Sequence, residues 1–291
     1  MTRIVLVHGI AQEVLGPESL LSEWYPALSD GLKLSGHPGI GREEVSMAFY
    51  GDLFRPRGHR GLGTPELDAD DVEEGIERDL LLQWWEQAAR LESAVSGPGD
   101  RTRLRTPHLV QRALDALSHS AFFAGLGDRL MIGAARQVRR YFTEPALRDR
   151  IQDRLAAAVT DRTEVIVAHS LGSVVAYEAL CARPQGPGVS LVTLGSPLGV
   201  RNLVFDRLRP EPTEGRGRWP EPVRQWVNVA DRGDVVALAK ELGPRFGERV
   251  CDLPIHNGAR AHDVRPYLTA APTGRAIGDG LSRRGPGGGT S

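Results

Sequence analysis

Nine consecutive residues, Val165-Ile166-Val167-Ala168-His169-Ser170-Leu171-Gly172-Ser173, restrict the possible folds of this chain more than any other stretch. An apolar run rich in β-branched residues stops at Ala168, a serine follows between small neighbours, and Val174 to Leu180 is again almost wholly apolar. The pattern predicts a buried strand, a sharp turn and a buried helix. A serine on such a turn is lifted clear of the sheet with its hydroxyl exposed. The backbone N–H of the next residue, Leu171, then points to where an oxyanion would form. The positions two before and two after the serine must be small, because strand and helix backbones come close there, and Ala168 and Gly172 meet that demand. Without further support the same residues could be a turn with no chemistry.

The run Ala-His-Ser-Leu-Gly resembles the alanine-type nucleophile elbow of small bacterial lipases, within the α/β-hydrolase superfamily, where glycine more often stands in place of Ala168. That resemblance implies an α/β fold: a mostly parallel sheet with a helical cap inserted before the elbow. The expected core is 1–53 together with 143–271, the cap 54–142, and the remainder, 272–291, a disordered tail. Arg3-Ile4-Val5-Leu6-Val7-His8-Gly9 reads as a strand running into His-Gly. By the resemblance it ends beside the elbow, and the residue after His8 and Gly9, Ile10, supplies a second oxyanion N–H.

Leu20, Leu21, Trp24, Leu28 and Leu32 recur at helical spacing and predict a helix over 17–36. Further apolar runs at 45–50, 189–194, 225–230 and 249–253 read as strands. Residues 70–95, 107–123 and 128–142 carry helical patterns. So much helix between two core strands exceeds a simple crossover, which needs a dozen or so residues. An insertion over the C-terminal edge of the sheet, where open α/β folds bind ligands, accounts for it. Trp84-Trp85 and Phe122-Phe123 within it are candidates for an acyl pocket, a membrane contact or plain packing. Residues 117–135 are nearly apolar but interrupted by Asp128 and Arg129, which suits a peripheral membrane contact better than a span.

A serine hydroxyl is a weak nucleophile and needs a base, and the base needs a carboxylate to fix its tautomer. In the superfamily these follow the serine in the order acid, then histidine. Two acids compete after the 225–230 strand: Asp231 at its end, and Asp234 before a Val235-Val236 pair able to open a helix. The aspartate followed by two apolar residues resembles the lipase pattern and implies Asp234, with Asp231 as a turn residue. His256 and His262 both follow the acid. By the same resemblance His262, after a Gly-containing loop, is the base, and His256 is a strand-end residue. His169 adjoins Ser170, but neighbours on an elbow point apart, so a structural role is expected for it. Asp52, at another strand end, reads as a turn carboxylate.

A net charge of -1 over 291 residues gives no general nucleic-acid surface. His8, His37, His59, His108 and His119 show no metal spacing, and the glycine pairs lack the strand–loop–helix context of a nucleotide site. No metal and no cofactor are therefore expected. Cys181 and Cys251 sit in apolar stretches and read as buried free thiols. The early strand leaves no room for a signal peptide, so a cytoplasmic protein is expected, of undetermined oligomeric state. The resulting expectation is a serine hydrolase acting on a small-molecule or lipid carboxylic ester. A thioesterase, amidase or phospholipid hydrolase with the same residues is the alternative, and a non-catalytic hydrolase-fold binding module is a third.

Overall fold

The computed structural model describes residues 1–55, 67–99, 106–121, 123, 127–186 and 188–282. Its centre is a six-stranded, all-parallel sheet in the order β2-β1-β3-β4-β5-β6. The strands are β1 (Ile4–Val7), β2 (Val45–Ala48), β3 (Val165–His169), β4 (Val189–Leu194), β5 (Val223–Asp231) and β6 (Val250–Ile255). The helices are α1 (Pro17–Leu34), α2 (Ile76–Leu91), α3 (Thr106–Ser118), α4 (Asp128–Thr143), α5 (Pro145–Ala158), α6 (Leu171–Cys181), α7 (Gly243–Phe246), α8 (Val264–Thr269) and α9 (Ala271–Ser282).

Alternation along the strands decides what packs where. Ile4 and Leu6 of β1, Val165 and Val167 of β3, and Val227 and Val229 of β5 face one layer, with Leu28 of α1, Tyr267 of α8 and Ile277 of α9. Val5, Val7, Ile166, Ala168 and Trp226 face the other, with α2 to α6. Both faces are covered, which is why the central strands read as unbroken apolar runs rather than alternating ones. The chain leaves β1 toward β2 on one side, and β3 and its successors build on the other. The order thus reverses between β1 and β3, and an open parallel sheet leaves its binding crevice at the C-terminal ends of such a pair.

Several sequence expectations need correction. The helix expected over 70–95 is shorter: Gly75, at φ +92°, separates a 3₁₀ turn (Ala69–Asp71) from α2, which ends at Leu91. Glu92 then accepts hydrogen bonds from Ser120 Oγ (2.5 Å) and the Ala121 N–H (2.6 Å), drawing the chain out of α3 beyond Ser118. The disordered tail is corrected over 272–282, which form α9. Its glycines compensate for poor helix propensity by close approach: a Cβ at Gly274 would strike the Gly31 carbonyl, and one at Gly278 the His37 ring. Residues 283–291 lie outside the described residues. Cys251 is exposed rather than buried, because β6 is an edge strand and only partly covered, while Cys181 is half-buried.

The region expected as a cap contributes α2, α3 and α4: α2 packs against α3 and α4, and α4 against α5. Residues 56–66, 100–105, Phe122 and 124–126 lie outside the described residues. Among the described residues, no helix is long and apolar enough to cross a membrane.

Candidate active site

The β3–α6 turn puts Ser170 at φ +53° and ψ −130°, a backbone that L-residues adopt only at a cost of about 1–3 kcal/mol and that functional turns retain. Ser170 N–H is held by the Leu194 carbonyl (3.0 Å), and its carbonyl accepts from Ser173 N–H (2.9 Å) and Ser173 Oγ (2.6 Å). Two glycines let the turn lie against β1. A Cβ on Gly172 would run into the carbonyl oxygens of His8 and Val7, and one on Gly9 would stand 2.8 Å from Ser170 Cβ.

Ser170 Oγ lies 3.0 Å from His262 Nε2, and His262 Nδ1 lies 2.7 Å from Asp234 Oδ2. Asp234 is fully buried and His262 keeps a partly exposed ring. With Nδ1–H donating to the carboxylate, the lone pair of Nε2 faces the serine hydroxyl. Gly195, at φ +54°, passes directly behind this pair: a Cβ there would sit 2.8 Å from Asp234 Oδ2 and 3.1 Å from His262 Nδ1.

The Val235-Val236 pair opens no helix. Asp234 folds a turn instead, its Oδ1 accepting from the N–H groups of Val236 (2.8 Å) and Ala237 (3.1 Å). The Lys240 ammonium donates to the Asp234 backbone carbonyl. Burial alone would push the Asp234 carboxyl up, but the His262 ring, Lys240 and the Ala237 N–H outweigh it and hold it below the usual carboxylate range. Asp231, one turn earlier, is fully buried and committed elsewhere: Oδ1 caps Gly233 N–H (2.6 Å) and Oδ2 accepts from Asn257 N–H. It ties the end of β5 to the loop that brings His262 in. His256 lies just past β6 and is exposed.

His169 points away from the serine, and its Nε2–H donates to the His262 backbone carbonyl (2.9 Å). Burial, reinforced by the His262 charge, lowers its pKa to about 3, so it stays a neutral prop. His8 is likewise neutral. Its Nε2 accepts from Tyr50 N–H (3.1 Å), which places the proton on Nδ1, donating to Gly9 O (2.7 Å), and burial lowers its pKa to about 4. It shapes the Gly9-Ile10 loop without facing the serine.

Three contributors escaped the sequence reading. Gln137 on α4 accepts from Ala11 N–H (2.9 Å) and donates to Glu13 (2.8 Å), which holds the Ile10 loop with Ala11 at φ +59°. Tyr267 on α8 donates to Asp234 Oδ2 (2.9 Å) and accepts from Asp231 N–H (2.8 Å). Lys240 is the third. Gln137 and Tyr267 act on the site from distant points in the chain, and Lys240, six residues after Asp234, sits in no motif that marks it. Ser196, by contrast, is a turn serine, buried and bonded to Ser173 Oγ (2.7 Å) and Leu198 N–H (3.2 Å). Asp52 pairs with Arg154 (3.2 Å), as a surface turn carboxylate.

A cavity of about 20 Å³ adjoins Ser170. Ile10 and Leu171 line it from the two turns, Leu80 and Trp84 from α2, Val138 from α4, and Val200, Val204, Val236 and Leu238 from loops after β4 and β5. Trp85, the other half of the tryptophan pair, turns away and donates to the Ser96 carbonyl (2.6 Å), and Trp84 packs on Phe123 (ring centroids 5.7 Å apart). Comparison of the chain with protein-family models, with curated proteins and with solved structures finds no match. Among the described residues, no group of three or more His, Cys, Asp or Glu side chains could hold a metal ion.

Proposed function

We propose that this chain is a serine hydrolase of the α/β-hydrolase type, cleaving carboxylic esters through an acyl-enzyme. The observation that carries the reading is the unbroken hydrogen-bonded series Ser170 Oγ–His262 Nε2, His262 Nδ1–Asp234 Oδ2, built on a serine with positive φ at a strand–helix turn. No single contact in that series is diagnostic, but together they are the parts an activated serine needs.

In this mechanism Ser170 Oγ attacks the ester carbonyl while His262 Nε2 takes its proton. Asp234, kept ionised by its surrounding donors, stabilises the imidazolium that results. The N–H groups of Ile10 and Leu171 receive the developing oxyanion. His262 then returns the proton to the leaving alkoxide, and a water activated by the same ring releases the acid. The lining of the cavity, with no charged side chain, suits an apolar acyl group. Its volume holds about one water molecule. On this reading α2 and α4 act as a cap, and Leu80, Trp84 and Val138 part from the serine to admit substrate.

Hydrolysis of p-nitrophenyl acetate, butyrate and octanoate by the wild type and by Ser170→Ala tests the proposal. Turnover in the wild type with at least a thousandfold loss in the variant is expected. Equal turnover in both would remove Ser170 from the chemistry.

A further inference from the structure

The carboxylate oxygen of Asp234 that faces His262 has a second donor. Tyr267, fully buried on α8, gives its hydroxyl proton to the same Oδ2 at 2.9 Å, while its own oxygen accepts the Asp231 N–H at 2.8 Å. A backbone donor at the end of β5, a phenol, a carboxylate, an imidazole and a serine thus stand in one line. Asp231 N–H polarises the phenol toward Asp234, and hydrogen bonds in series reinforce one another. With Val236 and Ala237 N–H on Oδ1, the Asp234 carboxylate accepts four hydrogen bonds in all.

Every donor on a carboxylate draws charge from it, and what Oδ2 gives to Tyr267 it cannot give to the imidazolium of His262. We propose that Tyr267 is a positioning residue: by sharing Oδ2 it fixes the carboxylate and limits its hold on protonated His262, so that His262 remains able to take the Ser170 proton to lower pH. The inference rests on the serine-hydrolase reading above. The other groups around His262 leave this role open. His169, from the end of β3, is neutral and occupied with the His262 carbonyl. Lys240 bonds the Asp234 backbone carbonyl rather than its carboxylate. Asp263, next in the chain, is engaged by Arg265 (2.6 Å). Burial, with the Asp234 charge, raises the Tyr267 phenol far above its ordinary range, so it stays a donor at every assay pH.

The test is the rate of Ser170 modification by a fluorophosphonate probe from pH 5 to 9, in wild type and Tyr267→Phe. With the hydroxyl gone, Oδ2 holds protonated His262 more strongly. The acid limb of the profile should move up by about half to one pH unit, with the alkaline plateau lowered about tenfold as the carboxylate loses its anchor. A purely structural tyrosine would lower the rate equally at every pH. Site-specific 3,5-difluorotyrosine at 267 keeps the shape and donates more strongly, so its limb should move down, and this readout stands even where Tyr267→Phe is unstable. An acid limb unchanged in both variants overturns the proposal while leaving the hydrolase reading intact. A folded wild type that the probe never labels overturns the hydrolase reading itself.

Discussion

Gly172→Ala probes the contact on which the whole site depends. An added Cβ would meet the carbonyl oxygens of His8 and Val7 at the C-terminal end of β1, at 2.6 Å from Val7 O and nearer still to His8 O. Ordinary contact would need roughly 3.3 Å or more, so the overlap is about 0.7 Å against Val7 O and greater against His8 O. Neither can rotate away, because β1 is bonded to β2 on one side and β3 on the other, and the His8 carbonyl also takes the Tyr50 hydroxyl. The strain is relieved only if α6 moves off β1. Overpacking of this kind costs about 1–3 kcal/mol, offset by at most about 1 kcal/mol of helix propensity. A net loss of about 2 kcal/mol corresponds to a fall in melting temperature of roughly 4–8 °C for a chain of this size. Activity should fall further than stability does. In the proposed mechanism the same displacement would separate the Ile10 and Leu171 N–H groups, and a misplacement near 1 Å can cost about a hundredfold in rate. Thermal melting and fluorophosphonate labelling kinetics on the same preparation measure both. Wild-type melting and labelling in Gly172→Ala would refute the close approach of β1 and α6.

Asp234→Asn should leave the fold intact and lower ester turnover about 10⁴-fold by offering His262 the wrong hydrogen-bond partner, read as kcat at saturating substrate. Asp231→Asn should instead lower mainly the melting temperature and leave kcat near that of the wild type, since its carboxylate bonds only the Gly233 and Asn257 N–H groups. Trp84→Ala or Leu80→Ala should widen the cavity and raise the kcat/KM ratio of octanoyl over butyryl ester about tenfold, a contribution of one or two methylenes. An unchanged ratio would take α2 out of substrate selection. Stability should decline in acid for a defined reason. His8 and His169 are buried neutral, with pKa values depressed from 6.5 to about 4 and about 3. The unfolded chain therefore binds more protons than the native one below about pH 6.5, and each group removes about 1.4 kcal/mol per pH unit until its folded pKa is reached. Urea midpoints at pH 7, 6 and 5 should fall in that order, and a flat series would contradict the buried neutral histidines.

How much of this was legible in the sequence depended on range. The strands could be read because a parallel sheet covered on both faces makes each one a run such as Ile4-Val5-Leu6-Val7. The elbow could be read because its small residues and its serine are neighbours. Asp234 and His262 could be ordered after the serine, and the fold brings His262 within hydrogen-bonding distance of Asp234 through one ring nitrogen and of Ser170 through the other. What stayed hidden acts across long separations or through backbone geometry. Tyr267 reaches Asp234 from α8, and Gln137 reaches Ala11 from 126 residues away. The Asp234 turn looked like a helix start because its two valines are apolar, whereas its own carboxylate caps the turn instead. α9 carries three glycines that composition assigns to a flexible tail. They are there because α1, the His37 ring just beyond it and the sheet lie too close for any side chain.

The central claim is that Ser170 is an activated nucleophile, and active-site labelling measures that directly. Purified wild type, Ser170→Ala and His262→Ala, each shown folded by circular dichroism, are incubated with a fluorophosphonate and the adduct is located by mass spectrometry of peptides. The result expected of an activated Ser170 is a single adduct on that residue in the wild type and none in either variant. A folded wild type that stays unlabelled, or one labelled equally well without His262, would contradict it.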